Sequence, residues 1–209
     1  RGMTMHESQS LLVEMQACRS EEFLTYAGPV FKQAFGGDDR AWNATNLHRL
    51  YTRVEPGLIR VDADEVTYPA HVILRYRLER ALIEGDMKLS DLPGAWNEMM
   101  EKLLGITPSD DRNGCMQDIH WPSGAWGYFP TYTLGAMAAA QIFAAAKDAN
   151  PEIPAALSRG DFSPLMGWLG TNIHSQASSK STDEILQAAT GKVLGVDAFK
   201  AHMLSRYGQ

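Results

Sequence analysis

The stretch that decides the fold most clearly is DEVTYPAHVILRYRLERALIEG, residues 64–85. Its pattern predicts a long helix over residues 64–84 that Gly85 ends, since a glycine commonly follows the last residue of a helix. At 100° per residue, four polar side chains fall within about 60° of one another: Asp64, Tyr68, His71 and Arg75. The opposite side carries Val66, Ala70, Ile73 and Leu74. Two interpretations stay open: a polar face that is solvated or satisfied internally, and the wall of a cleft.

Helical patterns also cover most of the remaining chain. Further helices are predicted at residues 3–20, 29–35, 40–53, 90–104, 130–147, 151–158, 162–175, 181–190 and 196–206. A turn is expected at residues 26–29, before the second of them. One short β element is expected near residues 57–61, because residues 58–61 are rich in β-branched side chains and follow Pro56-Gly57. The fold class is therefore mainly α, with residues 1–209 forming a single helical domain.

Composition narrows the class of protein. The 209 residues are 44% hydrophobic and 21% charged, which is ordinary for a folded domain. The net charge of −6 is spread along the chain without a basic stripe, so no nucleic-acid partner is expected. No apolar run reaches the roughly 20 residues of a membrane span, so no membrane partner is expected either. The two cysteines, Cys18 and Cys115, fit the reducing cytoplasm and allow one disulfide bridge at most.

A second concentration of polar and aromatic residues lies in the irregular segment 105–127 and in the helix start that follows it. It contains Gly114-Cys115-Met116-Gln117-Asp118-Ile119-His120-Trp121 and Gly127-Tyr128-Phe129-Pro130-Thr131-Tyr132. An irregular stretch of this length in a compact domain is usually functional or flexible. Donors, acceptors and rings of this kind are common at binding and catalytic sites. The alternative is a structural loop that its aromatic rings anchor in the core.

The N-terminal segment Met5-His6-Glu7-Ser8 contains half of a metal-binding motif. A His-Glu pair at the start of a helix is how helical metallopeptidases present ligands, but Ser10 stands where the second His would be. A Glu in the first turn also compensates the helix dipole, which is the simpler interpretation of Glu7. As a ligand, its carboxylate would be a hard oxygen donor to Zn²⁺ beside two imidazoles. The chain begins Arg1-Gly2-Met3, and we expect it to be cut from a longer sequence that holds the missing ligands.

Taken together, these segments resemble the carboxypeptidase Taq family of metal-dependent carboxypeptidases. The resemblance rests on His6-Glu7-Ser8-Gln9, on Ile59-Arg60 with Ala63-Asp64-Glu65-Val66-Thr67-Tyr68-Pro69 and His71, on Gly114 with Gln117-Asp118 and His120-Trp121, on Gly127-Tyr128-Phe129-Pro130-Thr131-Tyr132, and on the tail from Ala189-Thr190-Gly191-Lys192 to Arg206-Tyr207-Gly208. It extends over the whole chain and covers the C-terminal portion of a family member. It implies an elongated, all-helical metallopeptidase fold. It also implies a parent enzyme that hydrolyses the C-terminal peptide bond of a peptide substrate with a metal-activated water.

The resemblance further implies roles for individual residues. Glu7 matches the third ligand of a Zn or Co ion. A His-Glu-x-x-His helix upstream, which is absent here, supplies the two His ligands and the general-base Glu. Arg60 matches a basic residue that suits the C-terminal carboxylate of the substrate. The polar stripe on the predicted helix adds His71 and Arg75 as expected substrate-binding residues, and His6, beside Glu7, is expected to line the pocket. Those expected to stabilise the developing oxyanion, as hydrogen-bond donors, are His120 and Tyr128 or Tyr132.

The same resemblance implies a homodimer, and the two cysteines indicate a cytoplasmic location. This chain alone is expected to be inactive and to hold a metal weakly, because two ligands and the base lie outside it. The alternative is a noncatalytic helical binding or scaffold domain that retains the peptidase fold. Two departures from the family pattern are interpreted as local variation away from the site: Arg77 in place of a Glu, and residues 174–177 without a Gly after His174.

Overall fold

The computed structural model describes residues 2–208, and in this part of the chain helices are joined by turns and loops, without a strand. The α-helices in chain order are α1 (Thr4–Leu11), α2 (Glu21–Phe35), α3 (Ala44–Tyr51), α4 (Tyr68–Glu84), α5 (Leu92–Leu104), α6 (Pro130–Ala149), α7 (Glu152–Leu157), α8 (Ser163–Asn172), α9 (Thr182–Thr190) and α10 (Asp197–Tyr207). A π-helical turn (Leu12–Ala17) continues α1, and 3-10 helices lie at Arg60–Asp62, Leu89–Asp91 and His174–Gln176. The prediction of a mainly α fold is confirmed.

The chain divides into two compact units. The first contains the chain up to Thr52 and from Leu134 on, and the second is Arg53–Thr133. Helix α6 begins in the second unit and continues into the first. The single helical domain over residues 1–209 stays a prediction.

The core of the first unit forms around α6. Ala138, Ile142 and Ala146 of this helix are fully buried, and the small alanine side chains let neighbouring helices approach closely. They share one cluster with Leu12, Met15, Ile153, Leu157, Leu165, Leu169, Ile185 and Leu186. The elements that carry these residues therefore bury an apolar face in the same core as the alanine-rich helix.

Helices α4 and α5 form the core of the second unit. Leu74 and Leu78 of α4 pack with Trp96 and Met100 of α5. Gly105, in the left-handed conformation, ends α5 where the sequence predicts its end. A smaller cluster around Phe129 packs beside this core, and α4 contributes to both clusters.

The polar stripe predicted on α4 faces inward. Its members Tyr68, His71 and Arg75 are buried, whereas on the other side Val66 and Ile73 are 38% and 39% exposed and only Leu74, of the core with α5, is fully buried. Asp64 precedes the helix and accepts hydrogen bonds from the backbone N–H groups of residues 66 and 67 (both 2.9 Å). A solvated polar face is therefore excluded for the part of this stripe that lies within α4.

The turn predicted at residues 26–29 is wrong, because α2 runs unbroken through it. The hydroxyl of Ser20 caps this helix by accepting a hydrogen bond from the N–H of Phe23 (3.2 Å), and Pro29 lies inside the helix. Gly28 serves close packing here: a Cβ at this position would lie 2.1 Å from the carbonyl oxygen of Trp42. The Gly-Pro pair therefore reflects a contact with the loop before α3 and not a chain reversal.

The short β element predicted near residues 57–61 is also wrong. The chain forms a 3-10 turn at Arg60–Asp62, and the residues from 2 to 208 contain no strand with which it could pair. The N–H of Arg60 donates to Oε1 of Gln117 (2.9 Å) instead of to a neighbouring strand. Val61 is 71% exposed, so the β-branched residues do not mark a buried strand at this position.

Neither cysteine is part of a disulfide bridge. Burial raises the pKa of both thiols. The negative charge of Glu14 adds to this effect at Cys18, and that of Asp111 adds to it at Cys115. Both side chains are therefore protonated at neutral pH and behave as small, weakly polar groups. Between residues 2 and 208, no helix combines the length and the apolar character that crossing a bilayer requires.

Candidate active site

A buried cluster of charged side chains surrounds Asp118 in the second unit. Its Oδ1 accepts hydrogen bonds from Nε (3.2 Å) and Nη2 (2.7 Å) of Arg60, and its Oδ2 accepts from Nε of Arg75 (2.6 Å). Arg60 comes from the 3-10 turn, Arg75 from α4, and Asp118 from the irregular segment between α5 and α6. One carboxylate thus joins three parts of the chain that are distant in sequence. The three groups together carry a net charge of +1, from two guanidinium groups and one carboxylate.

Gln117 holds the same cluster through its side-chain amide. Its Oε1 accepts from the backbone N–H of Arg60 (2.9 Å) and from Nη2 of Arg75 (2.8 Å). Its Nε2 donates to the carbonyl oxygens of Leu58 (3.1 Å) and Asn113 (2.9 Å). Both ends of the amide are therefore used, which fixes the rotamer of Gln117 and the position of the chain before Arg60.

The electrostatics of the cluster keep its three groups ionised. Burial alone would raise the pKa of Asp118, but the hydrogen bond from Arg60 and the charge of Arg75 lower it below its ordinary value. Burial lowers the pKa of Arg75 to about 10, and the attraction of Asp118 opposes that shift. Burial would also lower the pKa of Arg60. The hydrogen bond to Asp118 and the charge of Asp118 outweigh burial, so the pKa of Arg60 is raised above its ordinary value.

His71 lies one helical turn before Arg75 and is completely buried. Neither ring nitrogen has a partner in hydrogen-bond geometry among the described residues. Burial, followed by the positive charge of Arg75, lowers the pKa of His71 to about 4, and the backbone of Gly57 opposes this shift only in part. The imidazole is therefore neutral at physiological pH.

An aromatic cluster surrounds the guanidinium of Arg60. Its Cζ lies 4.7 Å from the ring centre of Tyr132, within the range of cation–π attraction. The rings of Tyr128 and Tyr132 pack edge to face with centres 5.3 Å apart. His120 places Nε2 2.9 Å from the hydroxyl of Tyr132 and Nδ1 3.6 Å from Oδ1 of Asp118. The three residues predicted to stabilise an oxyanion thus lie together with the residue predicted to bind the substrate carboxylate.

Glu79 and Trp121 anchor the irregular segment to α4. The buried carboxylate of Glu79 accepts hydrogen bonds from Nε1 of Trp121 (2.7 Å) and from the backbone N–H of Gly127. Trp121 also stacks on Trp126, with ring centres 5.7 Å apart. The segment therefore combines both interpretations of its sequence, because aromatic anchors hold a loop that carries a polar cluster.

The His-Glu-Ser-Gln segment lies on α1 in the first unit. Glu7 is half-buried, and His6 is exposed. The buried hydroxyl of Ser8 donates to the carbonyl oxygen of Met5 (2.7 Å) and accepts from Nε2 of Gln9 (2.9 Å). Oε1 of Gln9 in turn lies 2.9 Å from Nε2 of His174. His174 therefore contacts the segment that carries Glu7, through Gln9, which is not one of the predicted site residues.

The helix that carries Glu7 changes its winding directly after α1. The backbone N–H of Cys18 donates to the carbonyl oxygen of Val13, five residues earlier (2.8 Å), as in a π-helix. Leu12 and Ala17 of this turn are fully buried in the core of the first unit. Such π-helical turns occur frequently next to functional sites. Together, α1 and the π-helical turn account for the helix predicted at residues 3–20.

The residues from 2 to 208 contain no group of three or more His, Cys, Asp or Glu side chains that could hold one metal ion. The carboxylate of Glu7 suits a divalent cation chemically, since it is a hard oxygen donor. Protein zinc sites, however, take at least three side-chain ligands. Glu7 is therefore chemically suited to be one ligand of a divalent metal, and the described residues do not bring together the further ligands of a complete set.

The model of the carboxypeptidase Taq (M32) metallopeptidase family matches residues 1–207. The chain belongs to this family. Carboxypeptidase 1 of Bacillus subtilis (strain 168) is 37% identical to it over 206 residues, which make up 99% of this chain and 41% of that protein. Thermostable carboxypeptidase 1 of Thermus thermophilus is 38% identical over 208 residues, 99% of this chain and 40% of that protein. The chain thus spans about two fifths of the length of these carboxypeptidase Taq relatives.

Solved structures of carboxypeptidases share the fold. Trypanosoma cruzi metallocarboxypeptidase 1 matches with a TM-score of 0.93 at 40% identity, over 100% of this chain and 44% of its own. The apo-Mg structure of the Pyrococcus furiosus carboxypeptidase matches with a TM-score of 0.89 at 35% identity, over 98% of this chain and 41% of its own. The resemblance to the carboxypeptidase Taq family is confirmed, whereas the roles predicted for single residues stay predictions.

No role was predicted from the sequence for four residues of this carboxypeptidase Taq chain that make structural contacts. Three of them hold the irregular segment between α5 and α6, and the fourth contacts the His-Glu-Ser-Gln segment: Gln117, Asp118, Glu79 and His174. Gln117 and Asp118 lie inside the Gly114–Trp121 motif, and their position between Gly114 and His120 was the sequence signal that could have indicated their importance. No local pattern marks Glu79 or His174, because each acts on a partner that is distant in sequence.

Proposed function

We propose that the full-length protein containing this chain is a divalent-metal carboxypeptidase that releases single residues from the C-termini of peptides. The observation that carries the proposal is the match of the chain, from end to end, to carboxypeptidases in both sequence and fold. The cluster of Arg60 with His120, Tyr128 and Tyr132 supports it, because it joins a fixed cation to hydroxyl and imidazole groups. No contact among the described residues favours the alternative of a noncatalytic scaffold.

Glu7 is proposed as one ligand of the metal, Zn or Co. When bound, such an ion polarises a carbonyl group and lowers the pKa of a water molecule. The half-burial of Glu7 and the bonded helix around it support this role, since a ligand must be held within a few tenths of an ångström. The 209-residue chain by itself is proposed to be inactive and to bind metal weakly.

Arg60 is proposed to bind the terminal carboxylate of the substrate. It donates through Nε, Nη2 and Nη1, the last to the hydroxyl of Tyr68 (3.3 Å), so about two of the five N–H groups of a guanidinium remain for a ligand. A substrate carboxylate would balance the net charge of Arg60, Arg75 and Asp118. Arg60→Lys is expected to raise KM about tenfold or more, because a lysine cannot reproduce the paired geometry; an unchanged KM would contradict this role.

His71 and Arg75 are proposed to support Arg60 from behind the pocket wall. Neither side chain is exposed in this chain, and Arg75 shares Asp118 and Gln117 with Arg60. A neutral, buried His71 can fill space beside two cations without adding a third charge. His6, exposed beside Glu7, is proposed to contact substrate directly.

His120 and Tyr132 are proposed to act as a pair that stabilises the developing oxyanion by a hydrogen bond. In the neutral imidazole the proton is expected on Nδ1, toward Asp118, so that Nε2 accepts from the Tyr132 hydroxyl. When the single proton of the neutral imidazole lies on Nε2 instead, Nε2 donates to the Tyr132 oxygen, and the Tyr132 hydroxyl is then free to donate a hydrogen bond to the oxyanion. Tyr128 is the second candidate donor, and its ring also packs against that of Tyr132.

The metal-ligand role is tested by Glu7→Gln in the full-length protein, with Glu14→Gln as the matched control. Glu14 lies on the adjoining π-helical turn and forms an exposed ion pair with Arg19 (2.8 Å). We expect Glu7→Gln to lower kcat/KM about 100-fold or more and to weaken zinc binding, and Glu14→Gln to leave both within about twofold. Wild-type zinc affinity in Glu7→Gln would contradict the proposal.

Two further properties are proposed for the full-length protein, its location and its oligomeric state. The two free thiols support a reducing, cytoplasmic location. A homodimer is proposed from the family resemblance, and the molar mass of the full-length protein by light scattering tests it. A monomer at micromolar concentration would contradict the dimer.

A further inference from the structure

Helix α6 approaches α1 most closely at Gly135. A Cβ placed on this residue would lie 2.8 Å from Cβ of Glu7, 3.2 Å from its carbonyl carbon and 3.2 Å from the backbone nitrogen of Ser8. A contact of 2.8 Å between two such carbon atoms is not tolerated in folded proteins, so one of the two helices would have to shift. Only a glycine therefore lets these backbones lie at their present separation.

We propose that Gly135 is a positioning residue for the metal ligand, since its missing side chain sets where α1 places the carboxylate of Glu7. This inference rests on the proposed role of Glu7 as a ligand. The atoms that a Cβ would meet are the Cβ and the main chain of that segment, not the flexible end of a side chain. Rotation about a side-chain bond cannot relieve the clash, and the base of Glu7 itself would be displaced.

The surroundings determine which helix would give way. The positions of α6 that follow Gly135 are locked in the core, because Ala136, Ala138 and Ala139 are buried there. On α1 the neighbours Met5, Ser8 and Leu11 are buried as well, but residue 7, at the contact itself, is only half-buried. The displacement is therefore expected at Glu7, where an error of a few tenths of an ångström already disturbs a metal ligand.

The chain offers a matched control for this inference. A glycine inside a helix is normally less stable than an alanine, so Gly→Ala stabilises wherever space permits. Gly167 lies inside α8 of the same unit, and a Cβ placed there would meet none of the described residues within 4 Å beyond its own stretch of helix. Gly167→Ala therefore makes the same chemical change in a helix without touching α1.

The test compares four full-length apo-proteins: wild type, Gly135→Ala, Gly167→Ala and Glu7→Gln. The dissociation constant for zinc is measured by competition with a chromophoric chelator, and the melting temperature is measured without metal. We expect Gly135→Ala to weaken zinc binding about tenfold or more, as for other changes that orient a ligand, and Gly167→Ala to leave it within about twofold. The absorption spectrum of bound Co²⁺ should also change in Gly135→Ala, which a loss of stability alone would not cause.

The outcomes separate the inference from the function on which it rests. Zinc binding within twofold of wild type in Gly135→Ala, together with weakened binding in Glu7→Gln, overturns the positioning role and leaves the ligand role standing. Unchanged binding in Glu7→Gln overturns the ligand role. If Gly135→Ala does not fold, Glu7→Gly/Gly135→Ala is compared with Glu7→Gly. We then expect the double variant to fold, because the 2.8 Å contact is gone and the two remaining main-chain contacts at 3.2 Å require only a small shift. An unfolded double variant contradicts the proposed contact.

Discussion

Arg75 donates from Nε to Oδ2 of Asp118 over 2.6 Å, and no part of the arginine side chain is exposed. The other oxygen of the same carboxylate is bound to Arg60. A residue on a core helix and a residue on a 3-10 turn are thereby held by a single side chain from a loop. Because a buried cation without its partner is strongly unfavourable, the loop cannot leave this position without a large loss of stability.

Removing the charge of Asp118 is expected to destabilise the protein. Asp118→Asn leaves two buried guanidinium groups without a carboxylate, and the free energy of unfolding should fall by about 3 kcal/mol or more. Urea unfolding of the full-length protein measures this change. Asp111→Asn, the same substitution at an exposed position of the same loop, should change it by less than about 0.5 kcal/mol. Equal effects of the two substitutions would show that the ion pairs do not hold the loop.

The hydroxyl of Tyr132 should be needed for turnover more than for binding. Tyr132→Phe removes the group that lies 2.9 Å from Nε2 of His120, and loss of an oxyanion donor typically lowers kcat about 10²–10³-fold. Steady-state kinetics on a peptide substrate separate kcat from KM. Tyr76→Phe, at an exposed tyrosine of α4, provides the control. A variant Tyr132→Phe with wild-type kcat would remove this residue from the proposed donor pair.

His71 should make stability depend on pH in the acidic range. Its pKa is about 4 in the folded chain against an ordinary value of 6.5, so between these values the unfolded chain binds a proton that the folded chain does not. The contribution of the neutral His71 to the free energy of unfolding is therefore fully present above pH 6.5, and it is lost as the pH falls from 6.5 toward 4. The loss attributable to this group between pH 7 and pH 5 is about 2 kcal/mol.

The effect of His71 is isolated by comparison with His71→Gln. The unfolding free energies of the wild type and the variant are measured at pH 7 and at pH 5. The wild type should lose more stability than the variant over this interval, because glutamine does not titrate. A wild type that follows the same pH dependence as His71→Gln would exclude a buried, neutral imidazole.

Replacement of Ala177 by glycine should stabilise the protein. Ala177 has φ of +41° and ψ of −124°, a conformation that strains a residue with a Cβ, and it follows the 3-10 helix that carries His174. Ala177→Gly should raise the free energy of unfolding by about 1 kcal/mol, since glycine adopts positive φ readily. Ala188→Gly, inside α9, should lower it by about 1 kcal/mol. If Ala177→Gly also lowers stability, the backbone at residue 177 is not strained.

Local patterns predicted most helices, because the periodicity and the ends of a helix depend on residues that are close together in sequence. The capping box of Ser181 with Glu184 and the left-handed Gly105 are examples, and both coincide with predicted helix boundaries. The errors arose where a local signal had a tertiary cause. Gly28 looked like a turn residue, but its small size serves a contact with Trp42. The β-branched residues before Arg60 looked like a strand, but their neighbour is a glutamine side chain.

The candidate site was predictable in composition but not in arrangement. Polar residues on one face of α4 were visible at helical spacing, yet the sequence could not show whether water or protein satisfies them. The answer depends on Asp118 and Gln117, which lie about forty residues after Arg75 in the chain. They contact Arg75 only because the loop that carries them folds back onto α4. The close approach of Gly135 to Glu7 was equally hidden, because one glycine among small residues carries no signal of its partner.

The most direct test of the proposed function is the release of C-terminal residues by the purified full-length protein. A peptide with a free C-terminus is incubated with the protein as isolated, after removal of metal with a chelator, and after return of Zn²⁺ or Co²⁺. Mass spectrometry should show stepwise loss of single residues from the C-terminus, its disappearance in the chelated sample and its recovery with metal. Undiminished release after complete metal removal, or no release with metal restored, would contradict a metal-dependent carboxypeptidase.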